Sequence, residues 1–320
     1  MTVPIVVFLL KRFVGMALIV FAVSFLVFSL LALSPGSAVM TLLGTRPSTP
    51  EAIAALTLRY HLNESFLAQY GHWLAGAAHG DFGRSTQSGA TATSVIASHV
   101  PVTIELALYA LLLVVVIGIP AGMLAGVRRG GWFDRAISGL TIIGMSAPGF
   151  AVGILLIYLL GVRVQMFPIY GAGGSMFVDR IEHLTLPAVA LASGLVALIV
   201  RQTRASVLDV MTKDYVTFAR ARGLSRTRIM TRYALRNTAL PVVTAAGLLL
   251  IVAISGALLV ETVFALPGVG SLMVQSVNAK DIPVVQALAF FIALLVVLVN
   301  LLVDTAALII DPRTRTAAKG

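Results

Sequence analysis

The 320-residue chain contains no cysteine. It therefore has no disulfide framework, no thiolate metal site and no cysteine nucleophile, whichever compartment each segment faces. Charge is scarce too, with Asp, Glu, Lys and Arg making up 11% of residues where soluble domains carry about 25%. There are few lysines: Lys11, Lys213, Lys280 and Lys319 follow Leu, Thr, Ala and Ala. A Walker A loop needs Gly-Lys followed by Ser or Thr to cradle phosphates, so ATP cannot be held in that way. Neither His-Glu-x-x-His nor Gly-x-Ser-x-Gly occurs, which removes the zincin and α/β-hydrolase readings.

Apolar residues fill the space that charge leaves, at 58% of the chain. Runs of about 20 apolar residues, long enough to cross a bilayer, occur six times. The composition thus specifies an all-α, polytopic membrane protein with six transmembrane helices. The spans are expected at 13–33, 102–127, 136–160, 184–204, 241–263 and 284–310. Between them lie an N-terminus (1–12), a long cap segment (34–100), a basic loop (205–240), a shorter loop (264–283) and a tail (311–320). The first run exceeds the usual 7–15 residue core of a signal peptide and is read as a retained helix. The fourth run is short, but Arg201 and Arg204 on its last turn can extend to the headgroups while their stems stay in lipid. Gly144, Pro148 and Gly153 are expected to loosen or kink the third.

An even number of spans puts both termini on one side. That side carries 17 of the 23 Lys and Arg residues, including Lys11, Arg12, Arg128, Arg129, Arg135 and the cluster from Arg201 to Arg236. By the positive-inside rule both termini are cytoplasmic. The net charge of +10 is then a topology signal, and no nucleic-acid partner is needed to explain it.

The cap segment is too long for a simple turn. Thr49-Pro50-Glu51 supplies a capping oxygen, Pro at the first helical position and an acid in the first turn, and a second helix is expected over 64–78. Four of the five histidines (His61, His72, His79, His99) lie here. Their spacing matches no compact ligand motif, so no metal site is assigned and they are read as polar residues on a solvated cap.

Ionisable residues within a span are functional candidates. Asp304 is the one well inside, roughly 10 Å from the cytoplasmic end at 1.5 Å per residue, and Asn300 lies about 6 Å deeper, near the midplane of a core about 30 Å thick. Four apart, they share one helix face. Two readings stand, an interhelical polar clamp and the lining of a passage. No catalytic residue is assigned.

The stretch from Asp214 to Asn237 concentrates arginines at 220, 222, 226, 228, 232 and 236. Gly223 can end one helix in the left-handed conformation and Ser225 can cap the next, giving helix, elbow, helix. Arg228, Arg232 and Arg236 recur every four residues opposite Ile229, Met230, Tyr233 and Ala234, as in a helix lying on a bilayer surface. Before the elbow, Tyr215 and Phe218 sit three apart on one side.

Here the sequence resembles the inner-membrane permease subunits of the dipeptide/oligopeptide/nickel group of ATP-binding-cassette importers, over nearly its whole length. The resemblance is carried by Asp214-Tyr215-Val216, Ala219-Arg220-Ala221-Arg222-Gly223-Leu224-Ser225, Leu235-Arg236-Asn237 and Leu240-Pro241-Val242-Val243. Val260-Glu261-Thr262-Val263-Phe264, Pro267-Gly268-Val269-Gly270, Asn300-Leu301-Leu302-Val303-Asp304, Asp311-Pro312-Arg313 and Gly80-Asp81-Phe82-Gly83-Arg84-Ser85 match in the same order. Departures are Thr217-Phe218-Ala219 where the wider signature has Glu-Ala-Ala, Tyr233-Ala234-Leu235-Arg236 where it has Ile-x-Leu-Pro, and Pro35-Gly36-Ser37 in place of Pro-Gly-Asp.

The resemblance implies a type I importer permease fold in a bacterial inner membrane. It implies a second homologous permease, two ATPase subunits carrying ATP and Mg, and an extracytoplasmic substrate-binding protein as partners; this chain itself binds no cofactor. It also implies that Tyr215, Thr217, Phe218, Ala219, Arg220, Ala221, Arg222, Gly223, Leu224 and Ser225 form a coupling helix seated in the ATPase. Glu261 is read either as a contact for the binding protein or exit, or as a satisfied interfacial acid. Pro267, Gly268 and Gly270 break a helix and suit an outer gate, with Asp81 and Arg84 in the matching outer hexapeptide. Small peptides are the implied substrate, and the group also includes nickel-chelate and glutathione importers.

Overall fold

The computed structural model describes residues 3–33, 37–44, 47–174, 176–229 and 235–310. Among these residues the regular elements are helices, with one isolated bridge pairing Arg84 and Thr91. In order they are α1 (Val3–Leu33), α2 (Ala38–Leu43), α3 (Pro50–Arg59), α4 (Phe66–Ala78), α5 (Ala92–Leu113), α6 (Ile119–Val127), α7 (Trp132–Ser146) and α8 (Gly149–Leu156). Then follow α9 (Phe177–Met211), α10 (Asp214–Ala221), α11 (Arg226–Ile229), α12 (Leu235–Val263), α13 (Val269–Asn278) and α14 (Ile282–Ile310). A π turn at Val114–Gly118 joins α5 to α6, and another at Ile157–Arg163 extends α8.

Four described stretches are long and apolar enough to span a membrane: Arg12–Leu33, Ala92–Val127, Phe177–Met211 and Ile282–Val303. The pair α7 and α8 makes a fifth if counted as one broken span. The run expected at 241–263 lies within α12, whose described apolar part, Ile251–Val263, is shorter than a span. The expected third span is not one rod, because its two halves are bent by 100°. Pro148 drives the preceding Ala147 out of the helical region, to φ −86° and ψ 122°. The carbonyl of Pro148 then starts α8 by accepting from the amides of Ala151 and Val152.

The chain forms two compact units. The first comprises Met1–Val102 with Pro267–Leu298. Its cap helices begin where local chemistry requires. Thr49 accepts from the Ala52 amide ahead of Pro50, and Ser65 accepts from the Ala68 amide, so the second cap helix starts at Phe66 rather than at residue 64. Phe28 packs tilted against both Tyr70 and Trp73, whose own rings stack. The Tyr70 hydroxyl shares a 2.7 Å hydrogen bond with the fully buried Ser24. Buried Gln286 on α14 donates to the carbonyls of Val27 and Phe28 on α1 at 3.3 and 3.2 Å.

The second unit comprises Thr103–Leu266 with Val299–Gly320. Its centre is α9, against which α6, α7, α8 and α12 all pack. Close approach of α6 rests on glycine. A β-carbon at Gly122 would lie 2.6 Å from the Val200 carbonyl oxygen and 2.7 Å from Thr203 Cβ, and one at Gly126 would lie 2.8 Å from Val207 Cγ1. This four-residue spacing of small residues lets two backbones meet, the device used where lipid supplies no hydrophobic drive for helix association.

Arg204 departs from its expected role. Its guanidinium does not extend to headgroups; Nε and Nη2 grip the two Asp134 carboxylate oxygens at 2.5 and 2.9 Å. Asp134 is only 4% exposed, and burying a carboxylate requires a partner charge. The pair therefore ties α7 to α9, while Arg201 remains exposed.

Candidate functional site

The arginine-rich elbow begins where α9 ends. Thr212 turns its hydroxyl back to the Asp209 carbonyl at 2.7 Å, and Lys213 is extended at φ −75° and ψ 145°. A hydrogen bond from the Lys213 ammonium to Asp209 at 2.9 Å raises its pKa above the ordinary value. Both groups are exposed, so the pair adds little stability. Helix α10 follows with Asp214 in its first turn and Arg220 in its last, each opposing the helix dipole at its own end.

One side of α10 is anchored. Val216 and Ala219 are buried at 0% and 3% exposure, in a small core with Val210 and Ile229 against which Met211 and Leu224 pack. The other side is open: Tyr215 is 40% exposed and Phe218 68%, with Thr217, Arg220, Ala221 and Arg222 exposed beside them. Between α10 and the ends of α6 and α9 runs a groove lined by Gly126, Leu208, Met211, Arg220, Leu224 and Ile229.

Helix α10 stops in a complete glycine cap. The Gly223 amide donates to the Arg220 carbonyl at 2.9 Å and the Leu224 amide to the Ala219 carbonyl at 3.2 Å, with Gly223 at φ +74°. These are the two bonds of the Schellman motif, and Leu224 packs against the small core that holds Ala219. Ser225 then caps α11, its hydroxyl accepting from the Arg228 amide at 3.4 Å. The expected helix, elbow, helix is therefore formed through Ile229. The arginine face from Met230 to Ala234 lies outside the described residues.

Other residues singled out from the sequence occupy separate places. Glu261, near the end of α12, is fully buried and accepts a 2.6 Å hydrogen bond from Thr103 on α5. Its carbonyl accepts from the Leu266 amide as the helix ends, and Ala265 turns at φ +49°. Exposed Pro267 and buried Gly268 precede α13, whose first turn holds Gly270 and Ser271. The Ser271 hydroxyl bonds both the amide and the carbonyl of Gly268. Asn300 is half-buried on α14; Asp304 lies on the same helix, and its side chain is outside the described residues.

The outer hexapeptide is a turn. Asp81 accepts from the Gly83 amide at 2.9 Å, and Arg84 donates to the Gly89 carbonyl at 3.1 Å. Its last residue, Ser85, and the next, Thr86, both bond buried Asp281, Ser85 through its hydroxyl and Thr86 through its amide. Asp281 was not singled out from sequence, and only its place one residue before α14 hinted at a structural acid. Glu64 was missed as well: the His61 hydrogen bond, opposed by partial desolvation and aided by His72, lowers its carboxyl pKa below the ordinary value.

Comparison with known proteins bears on this arrangement. Residues 118–316 match the family model described as binding-protein-dependent transport system inner membrane component, and residues 5–107 match the model for the N-terminal part of such membrane components. The dipeptide transport system permease protein DppB of Escherichia coli (strain K12) is 35% identical over 334 aligned positions, covering 96% of this chain and 98% of that protein. Among solved structures, two crystal forms of the inward-facing MetNI methionine ABC transporter match 68% of this chain and 96% of theirs, with TM-scores of 0.56 and 0.59 at 20% and 21% identity. The fold is thus that of an importer permease, and the chain belongs to the family of binding-protein-dependent transport system inner membrane components.

Proposed function

We propose that this chain is the permease subunit of an ATP-driven importer of dipeptides or oligopeptides. It would cross the inner membrane six times with both termini in the cytoplasm and form half of the pathway with a second, homologous permease. Two ATPase subunits would supply ATP and Mg, and an extracytoplasmic binding protein would deliver the peptide. The observation that carries the coupling role is the α10 elbow: a short helix fixed from beneath by Val216 and Ala219 and capped at Gly223, with Tyr215 and Phe218 turned outward. A rigid element of this kind can transmit a rigid-body movement from an attached subunit. Near-full-length similarity to a dipeptide permease supports the substrate class.

The test is uptake by proteoliposomes holding the chain with its co-purified partners and binding protein. Labelled dipeptide is expected to accumulate only with internal ATP, and a nickel chelate or glutathione at the same concentration is expected not to compete. Accumulation of nickel chelate or glutathione instead of peptide would overturn the substrate assignment. Uptake without ATP or partners would overturn the mechanism.

A further inference from the structure

Two helices of the cap meet at a cluster that coupling does not use. Helix α3 ends in the same type of cap as α10: the Leu62 amide donates to the Thr57 carbonyl at 3.0 Å and the His61 amide to the Leu58 carbonyl at 3.4 Å. The left-handed position, where α10 has glycine, is here His61 at φ +53°. Glycine occupies such a position without steric cost, whereas a side chain bears strain there. That strained position turns the His61 ring toward α4.

Glu64 joins that ring to the His72 ring, with one carboxylate oxygen to each. His61 Nδ1 lies 2.9 Å from Glu64 Oε1, and His72 Nε2, from α4, lies 3.0 Å from Glu64 Oε2. The two imidazoles stack with centroids 3.9 Å apart and planes 9° from parallel. One donor atom from each of the three residues falls within 4.8 Å of the others. The Glu64 backbone is itself held, its amide donating to the His61 carbonyl and its carbonyl accepting from Gln69 Nε2, both at 2.9 Å. The side chains are 38%, 36% and 51% exposed for His61, Glu64 and His72, so an ion has a direct path from solvent.

We propose that His61, Glu64 and His72 bind one divalent transition-metal ion of the zinc type, with two imidazole nitrogens, one carboxylate oxygen and a water as its ligands. Imidazole donors favour zinc, nickel or copper, whereas calcium and magnesium take all-oxygen sites. Three protein donors and an open fourth position suit tetrahedral zinc. On binding, the rings tilt out of their stack so that both lone pairs converge on the ion, which then ties the end of α3 to α4. The proposal does not depend on the peptide-import reading.

The test is equilibrium dialysis of Zn2+ alone against the untagged, full-length chain in its assembled complex, followed by metal analysis. The wild-type complex is expected to bind one Zn2+ per chain more than a complex with His61→Ala and His72→Ala. Glu64→Gln is expected to weaken that ion's binding at least about 10-fold. His79→Ala is expected to bind as wild type, because His79 Nδ1 bonds the Ala75 carbonyl of its own helix. Co2+ at this site is expected to give the strong visible bands of four-coordinate cobalt. If the double alanine complex does not assemble, His72→Gln replaces it. Equal Zn2+ binding by wild type and the His61/His72 variant, or none by the wild type, overturns the proposal.

Discussion

Gly223→Val and Gly223→Pro are expected to lower peptide-stimulated ATP hydrolysis by the assembled complex at least about 10-fold, whereas Gly223→Asn retains most of it. The difference does not come from crowding, because a β-carbon at Gly223 meets nothing within 4 Å. It comes from the backbone at φ +74°, which asparagine tolerates far better than a β-branched residue. Proline cannot adopt that φ at all, and it removes the amide that donates to Arg220. Holding a disfavoured left-handed residue costs of order 1–3 kcal/mol, and about 2 kcal/mol shifts a two-state population roughly 30-fold. The elbow would relax and α10 would lose its fixed direction, although the spans that insert the chain are unchanged. ATPase stimulation against peptide concentration measures this. A Gly223→Val complex as well coupled as Gly223→Asn would contradict it.

Phe218→Ala is expected to weaken binding of the ATPase subunit by about 30-fold, corresponding to the roughly 2 kcal/mol of an aromatic hot spot. The physical basis is that Phe218, 68% exposed on a helix whose opposite side is fully packed, contributes almost nothing to the chain's own core. Its apolar surface gains a partner only by docking. Arg222→Ala, beside it and also exposed, should change affinity by less than about 1 kcal/mol, with a stronger dependence on salt. Thr217 stands where the wider family signature has glutamate, so the proposed contact would rely on apolar burial more than on an ion pair. Titrating purified ATPase subunit onto nanodisc-held permease gives the affinities. A larger loss from Arg222→Ala than from Phe218→Ala would reverse the assignment.

Local punctuation makes the elbow legible in the sequence. Glycine at a helix end and serine two residues later are short-range signals, and Gly223 and Ser225 follow them directly, whereas the burial of Val216 and Ala219 beneath α10 comes from the structure. The Thr49-Pro50-Glu51 helix start was legible for the same reason. Features that depend on distant partners were not. Arg204 looked like a snorkelling side chain because its partner, Asp134, lies 70 positions away, across a bend that one proline produces. Asp281 meets Ser85 at a separation of 196. The His61, Glu64 and His72 cluster was hidden because its spacing fits no single helix; a left-handed turn at His61 brings the three together. Glycines at 122 and 126 carry a periodic signal, yet only the nearness of Val200 and Val207 shows why the spacing matters.

Because the chain has no cysteine, an introduced thiol is unique within it, and this permits a direct test of the central claim that α10 is gripped by the ATPase. In the assembled complex, Ala221→Cys on the exposed side of α10 carries a short thiol-to-amine crosslinker, with Leu58→Cys on α3, 71% exposed, as the comparison. The account predicts a crosslinked band containing the ATPase subunit from position 221 and none from position 58. An intact complex that gives no ATPase crosslink from position 221, or equal crosslinking from both positions, would contradict it.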